Sequence, residues 1–122
     1  GINIALTTVF YRDVADIILG RLGWVPDVNA TSGIHLSVTP DEVNGEGRPS
    51  LAMISYAMEK LGVTNVAEVI NVGDTPVDLA FGKNAGVRLA LGVCNGTHTR
   101  EQLASHENDG LLDKISDLIA YV

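Results

Sequence analysis

Short apolar runs and helix-spaced apolar stripes alternate along the chain. Ile2, Ile4, Ala5 and Leu6 form a run that ends in the hydroxyls Thr7 and Thr8, the pattern of a strand passing into a loop. Over residues 11–22, Val14, Ile17, Ile18 and Leu22 recur at helical spacing with Asp13, Asp16 and Arg21 between them, which predicts a helix that buries this stripe. Gly23 is the expected stop, and Trp24 and Val25 are expected to cover the core before Pro26-Asp27 opens a loop. Residues 34–38 (Ile-His-Leu-Ser-Val) alternate, as a second strand nearer the sheet edge would. A turn-rich stretch runs from Thr39 to Gly47. Arg48-Pro49 then opens a predicted helix with the stripe Leu51, Ile54, Met58 and Leu61, closed by Gly62; Met53 and Met58 read as core filler.

The second half repeats the alternation. Val69, Ile70 and Val72 form a β-branched run that stops at Gly73, as a buried parallel strand does. Pro76 suits the first turn of a following helix, where its missing N–H is no loss, and Gly86 ends that helix. Val87, Leu89, Ala90, Leu91 and Val93 make another buried strand, followed by the turn pair Asn95-Gly96. Thr99 and Gln102 have the spacing of a capping box. Asp109-Gly110 reads as a further turn, and Ile115, Leu118, Ile119 and Val122 stripe a last helix. There is no internal repeat, linker or low-complexity tract. Strand and helix in alternation predict an α/β fold, a Rossmann-like parallel sheet with flanking helices and right-handed crossovers.

Composition narrows the function. At 122 residues, with 46% hydrophobic and 19% charged residues, the chain has the size and make-up of one globular domain. Fifteen acids against eight bases give a formal charge of −7 with no basic run, which argues against a nucleic-acid partner. No apolar span is long enough for a membrane helix, so no membrane partner is expected. The single Cys94 excludes an internal disulfide, suits a reducing compartment such as the cytoplasm, and lies in an apolar run as a core residue would. Gly1-Ile2 runs straight into a strand without an initiator Met, as the middle of a longer protein would.

The candidate chemistry lies at strand ends. Asp74 leaves the strand that stops at Gly73, and Asp78 follows one helical turn later, so both carboxylates can face one point. Two carboxylates held close repel unless a cation is present, and Mg²⁺ is the hard cation that prefers such oxygens. The same residues also suit a helix N-terminus, with Asp74 and Thr75 capping and Asp78 answering the dipole. Thr7-Thr8 offers a hydroxyl and backbone N–H groups, and Arg48 a fixed cation at a helix start. Hydroxyl, cation and paired acids together are what holding a phosphoryl group requires. His35, His98 and His106 have no metal-ligand spacing and read as surface or loop residues.

The stretches Ile4-Ala5-Leu6-Thr7-Thr8, Gly47-Arg48-Pro49, Val72-Gly73-Asp74-Thr75-Pro76-Val77-Asp78, Asn84-Ala85-Gly86 and Gly92-Val93-Cys94-Asn95-Gly96-Thr97 occur in order at family-like spacing. In these the sequence resembles the haloacid dehalogenase superfamily, and within it the phosphonatase-like hydrolases. The resemblance implies a magnesium-dependent phosphoryl or phosphonyl hydrolase working through an aspartyl intermediate on a small phosphorylated or phosphonate substrate. It implies that Thr8 binds phosphate, that Arg48 (a Lys in many relatives) neutralises the phosphoryl group, that Asp74 ligates Mg²⁺ and that Asp78 supports the metal or its waters. Val9 stands where close relatives often have Gly, and Leu51 replaces a frequent Pro. No Asp-x-Asp nucleophile motif occurs in a strand-like context in these residues, and the helical cap that would select substrate is absent. Residues 1–122 are therefore expected to be a partial core domain, inactive alone, whose partner would be a missing N-terminal segment or a second chain. The alternative is a non-enzymatic α/β binding or regulatory module that has lost its nucleophile. A phospho-acceptor receiver domain would need an acidic pair where Thr7-Thr8 stands.

Overall fold

The computed structural model describes all residues, Gly1–Val122, and divides them into two compact units, Gly1–Thr64 and Asn65–Val122. The first carries β1 (Ala5–Thr7), α1 (Arg12–Leu22), β2 (Leu36–Val38), a 3₁₀ helix over Pro40–Val43, and α2 (Ala52–Leu61). β1 and β2 are parallel and paired Ala5 to Leu36, Leu6 to Ser37 and Thr7 to Val38, with α1 as the crossover. Val38, Val43, Met53, Ile54 and Ala57 form the buried centre, joined by Ala15 and Leu19 of α1. Gly23 and Gly62 end the two helices in the left-handed conformation, which glycine adopts without penalty.

The buried face of α1 differs from the expected one. Val14, Ile17, Ile18 and Leu22 are exposed, as are Trp24 and Val25, while the intervening Ala15 and Leu19 are buried. Arg12 explains the rotation. Its guanidinium donates to the Ser37 carbonyl at 2.7 Å and the Ser37 hydroxyl at 3.3 Å, and it pairs with Glu42 and with Asp16. Its backbone N–H donates to the Asp41 carboxylate at 2.7 Å. These bonds tie the first turn of α1 to β2 and to the 3₁₀ helix, and Ala15 and Leu19 lie on the same face of the helix as Arg12. The turn-rich stretch after Val38 is itself ordered by a capping box, Thr39 with Glu42. In α2 the buried face is Met53, Ile54 and Ala57, whereas Leu51 is exposed.

The second unit carries β3 (Ile70–Gly73), α3 (Pro76–Ala85), β4 (Leu89–Val93), α4 (Arg100–Ala104), β5 (Gly110–Leu112) and a 3₁₀ segment over Ile115–Tyr121. Its three strands are parallel in the order β3-β4-β5. The two faces of β4 differ in residue size. Leu91 and Val93 pack with Leu112, Ile70, Val72, Leu89 and Leu118. On the other face, a Cβ on Gly92 would meet Leu111, Leu103 and Leu79, and a Cβ on Gly82 of α3 would come within 2.9 Å of the Ala90 Cβ. Small residues there let the helices sit close to the strands.

Two segments of the second unit differ from the expected ones. Asp109-Gly110 does not make a free turn but leads into β5, too short at three residues to show an alternation. The Asp109 carboxylate accepts from the Ala90 N–H at 2.8 Å and from Lys83 Nζ at 2.8 Å, fixing α3, β4 and β5 to one another. The last helix is 3₁₀, and of its expected stripe only Leu118 packs on the core; Ile115, Ile119 and Val122 are exposed.

Candidate active site

Thr8 and Arg48 belong to the first unit and Asp74 and Asp78 to the second. Thr8 follows the last residue of β1. Its N–H donates to the Val38 carbonyl at 3.2 Å, extending the β1–β2 ladder by one residue. Its Oγ1 accepts from the Phe10 N–H at 3.1 Å, so the hydroxyl proton is left to donate outward. Val9, Phe10 and Tyr11 beyond it are exposed. Arg48 is half-buried and lies in the turn before α2, where the Ser50 N–H donates to the Gly47 carbonyl at 3.1 Å. The helix itself begins only at Ala52, whose N–H donates to the Ser50 hydroxyl at 3.3 Å, so Arg48 precedes the helix rather than opening it.

The junction of β3 and α3 is a capped helix start. Thr75 is the N-cap of α3 and Pro76 its first residue. Asp78 closes a capping box: its Oδ2 accepts from the Thr75 N–H at 3.0 Å and from the Thr75 hydroxyl at 2.8 Å. At 3% exposure Asp78 is the most thoroughly enclosed acid of the chain, with its carboxylate lying against the α-carbon of Gly73. The Asn71 side-chain amide donates to the Asp78 carbonyl at 2.9 Å, holding the first turn of α3 on β3. Asp78 is therefore a buried acid of the helix cap.

Asp74 does not cap the helix. It is half-buried, and its Oδ2 accepts from the Thr97 N–H at 3.1 Å and the Thr97 hydroxyl at 3.2 Å. The backbone bond from Thr97 is the main reason its carboxyl titrates below the usual range; burial opposes the shift, while the Thr97 hydroxyl and the nearby His98 add to it. Asp74 is thus a carboxylate at neutral pH. Gly73 pairs in register with Gly92, so the loop after β4 comes level with Asp74 at the carboxyl ends of adjacent parallel strands. The strand register that brings Thr97 to Asp74 is a tertiary feature with no local signal in the sequence.

His35 is corrected from a surface to a buried residue, at 3% exposure. Its Nδ1 accepts from the Ile4 N–H at 3.0 Å and its Nε2 lies 3.0 Å from the Ala30 carbonyl. Both nitrogens are spent on backbone, so the role is structural. Hard carboxylate oxygens at the β3–α3 junction fit Mg²⁺, which is held through one or two carboxylates and completes its octahedron with water and substrate oxygens. No group of three or more His, Cys, Asp or Glu side chains gathers as a metal cage.

Parallel strands with flanking helices and two acids at a strand-to-helix junction define an α/β protein. Residues 46–118 match the HAD-hydrolase-like family. The chain is 34% identical over 121 residues to a phosphonoacetaldehyde hydrolase of Bacillus cereus (strain B4264), covering 94% of this chain and 42% of that protein. It is 30% identical over 100 residues to the phosphonoacetaldehyde hydrolase of Lactiplantibacillus plantarum, covering 80% of this chain and 34% of that one. The chain thus spans less than half the length of these curated relatives. Among solved structures it is similar to a phosphonoacetaldehyde hydrolase-like protein from Oleispira antarctica (TM-score 0.76, 20% identity, 99% of this chain and 50% of that one). It is also similar to a HAD family hydrolase from Deinococcus radiodurans with bound phosphate and sodium (TM-score 0.74, 22% identity, 96% and 50%). The chain belongs to the haloacid dehalogenase superfamily of hydrolases and is phosphonatase-like. No helix is long and apolar enough to cross a membrane.

Proposed function

We propose that residues 1–122 are part of the core domain of a Mg²⁺-dependent hydrolase acting on a small phosphate or phosphonate substrate in the cytoplasm. The observation that carries this reading is the β3–α3 junction, where Asp74 and Asp78 are each held by hydrogen bonds within a stretch that matches the family. Thr8 would donate its free hydroxyl proton to a phosphoryl oxygen, and Arg48 would neutralise the anion's charge. Asp74 would ligate the cation directly and Asp78 would support it from the capping box. The metal, when bound, supplies charge neutralisation between the nucleophile and the phosphoryl group. The nucleophilic aspartate of the covalent step would come from a segment outside these residues.

The test compares this chain with the protein extended by its upstream coding sequence, assayed for phosphate release from phosphonoacetaldehyde and from small phosphate esters. The extended protein is expected to turn over with Mg²⁺ and to lose at least about a hundredfold with chelator or with Asp74→Asn. The 122-residue chain is expected to be inactive. Turnover by the pure chain would refute the incomplete-site reading. An extended protein that binds but never hydrolyses these compounds would favour the binding module.

A further inference from the structure

We infer that Gly96 and Thr97, in the loop between β4 and α4, are positioning residues for a bound cation: they seat the Asp74 carboxylate so that one oxygen is held by the protein and the other faces the metal. The inference rests on the reading of Asp74 as the metal ligand. Both bonds from Thr97, from its backbone N–H at 3.1 Å and its hydroxyl at 3.2 Å, fall on the same oxygen, Oδ2. Helix capping does not account for them, because the N-cap of α3 is Thr75.

The hydroxyl of Thr97 has one proton, and Asp74 takes it. The 2.9 Å contact between Thr97 Oγ1 and His98 Nδ1 must then run the other way, with Nδ1–H donating to Oγ1. This fixes the hydroxyl rotor toward Asp74 from behind. Gly96 supplies the space. A Cβ on Gly96 would fall on the Asp74 carboxylate, yet Gly96 is not among the glycines with positive φ. Its backbone conformation is open to any residue, so close approach of the carboxylate is what requires glycine there. Mg²⁺ demands near-ideal octahedral geometry, and a carboxylate that swings or chelates through both oxygens serves it poorly. Partners that hold a ligating carboxylate in place typically change metal affinity by about 10–100-fold.

The experiment is calorimetric titration of the protein extended by its upstream coding sequence with MgCl₂ alone, with thermal unfolding in its absence to establish that each variant is folded. Thr97→Val keeps the shape and the backbone N–H but removes the hydroxyl, and is expected to weaken Mg²⁺ binding about tenfold. Thr97→Ser restores the hydroxyl and is expected to bind within about twofold of the parent. Gly96→Ala is expected to weaken binding at least as much as Thr97→Val, and Asp74→Asn to abolish it. If Thr97→Val and Gly96→Ala bind like the parent while Asp74→Asn does not bind, the seat is overturned and Asp74 keeps its role. Should the parent bind no Mg²⁺, or Asp74→Asn bind like the parent, the Asp74 reading falls and the seat with it. Where Gly96→Ala does not fold, the Thr97→Val and Thr97→Ser pair decides: unequal affinities support the seat, equal ones overturn it.

Discussion

A buried imidazole is tolerated when each of its nitrogens has a partner of the right polarity. His35 meets that condition with backbone alone: Nδ1 accepts from Ile4 N–H, which leaves Nε2–H to donate to the Ala30 carbonyl. The residue thereby fastens the approach to β1 and the loop after α1 to the start of β2. Replacing it with Ala opens a cavity and strands two buried backbone groups, so His35→Ala is expected to cost about 2–4 kcal/mol of stability. Urea unfolding measures this, and a loss below about 1 kcal/mol would show that water substitutes for the ring. The sequence could not reveal the burial, because a lone histidine in an alternating strand occupies a nominally polar position and its partners lie 31 and 5 residues away. Asp74, Asp78 and Thr75 were more legible, since each sits within a few residues of a strand end that Gly73 marks. What remained hidden was the partner of Asp74, which comes from 23 residues further along the chain.

Elements were legible where one local rule decided them and illegible where a distant ion pair did. The glycine stops at Gly23, Gly62 and Gly86 and the capping box of α4 stand as the sequence implied, because a helix end is settled within one turn. The facing of α1 is not local: Arg12 reaches Ser37 and Glu42 and overrides the larger apolar stripe. Burial pushes the Glu42 carboxyl up, but the hydrogen bonds from Arg12 and Thr39 outweigh it and leave the group below its ordinary range. A depressed carboxyl stabilises the fold above its unfolded value, and that contribution is lost as pH falls through the folded one. Glu42→Gln is therefore expected to lower stability at pH 7 and to flatten its decline below about pH 4, which denaturation midpoints against pH will check. Two glycines inside helices make opposite predictions for one substitution. Gly20 of α1 has nothing within 4 Å of a built Cβ, so Gly20→Ala is expected to stabilise by about 0.5–1 kcal/mol. Gly82 of α3 lies against Ala90 and Asn71, and Gly82→Ala is expected to destabilise by about 1–3 kcal/mol despite the better propensity. Equal signs in thermal unfolding would remove close helix–strand packing as the reason for Gly82.

At the scale of the whole molecule, the α/β class followed from the strand–helix alternation, but the pairing of the strands did not. β1 pairs only with β2, and β3 only with β4 on its side, so each unit presents a strand whose other edge carries no partner strand. Nothing in the hydrophobic pattern of a three- or four-residue strand says which neighbour it takes. The exposed apolar residues are the other global feature that local patterning misjudged. Val14, Ile17, Ile18 and Leu22 lie on one side of α1 at helical spacing, and Trp24 and Val25 follow directly. Apolar residues gathered on one helix face in this way favour association over solvation. Because Ile17 is 63% exposed and Val25 83%, substituting Lys at either removes little packing within the chain. Ile17→Lys and Val25→Lys are each expected to change unfolding free energy by less than about 0.5 kcal/mol, while the double variant lowers self-association of the chain. Sedimentation velocity over a concentration series reads the second effect and chemical denaturation the first. A loss of more than about 2 kcal/mol from either single change would mean that α1 buries its larger stripe in solution, and that the Arg12 anchor does not set its facing.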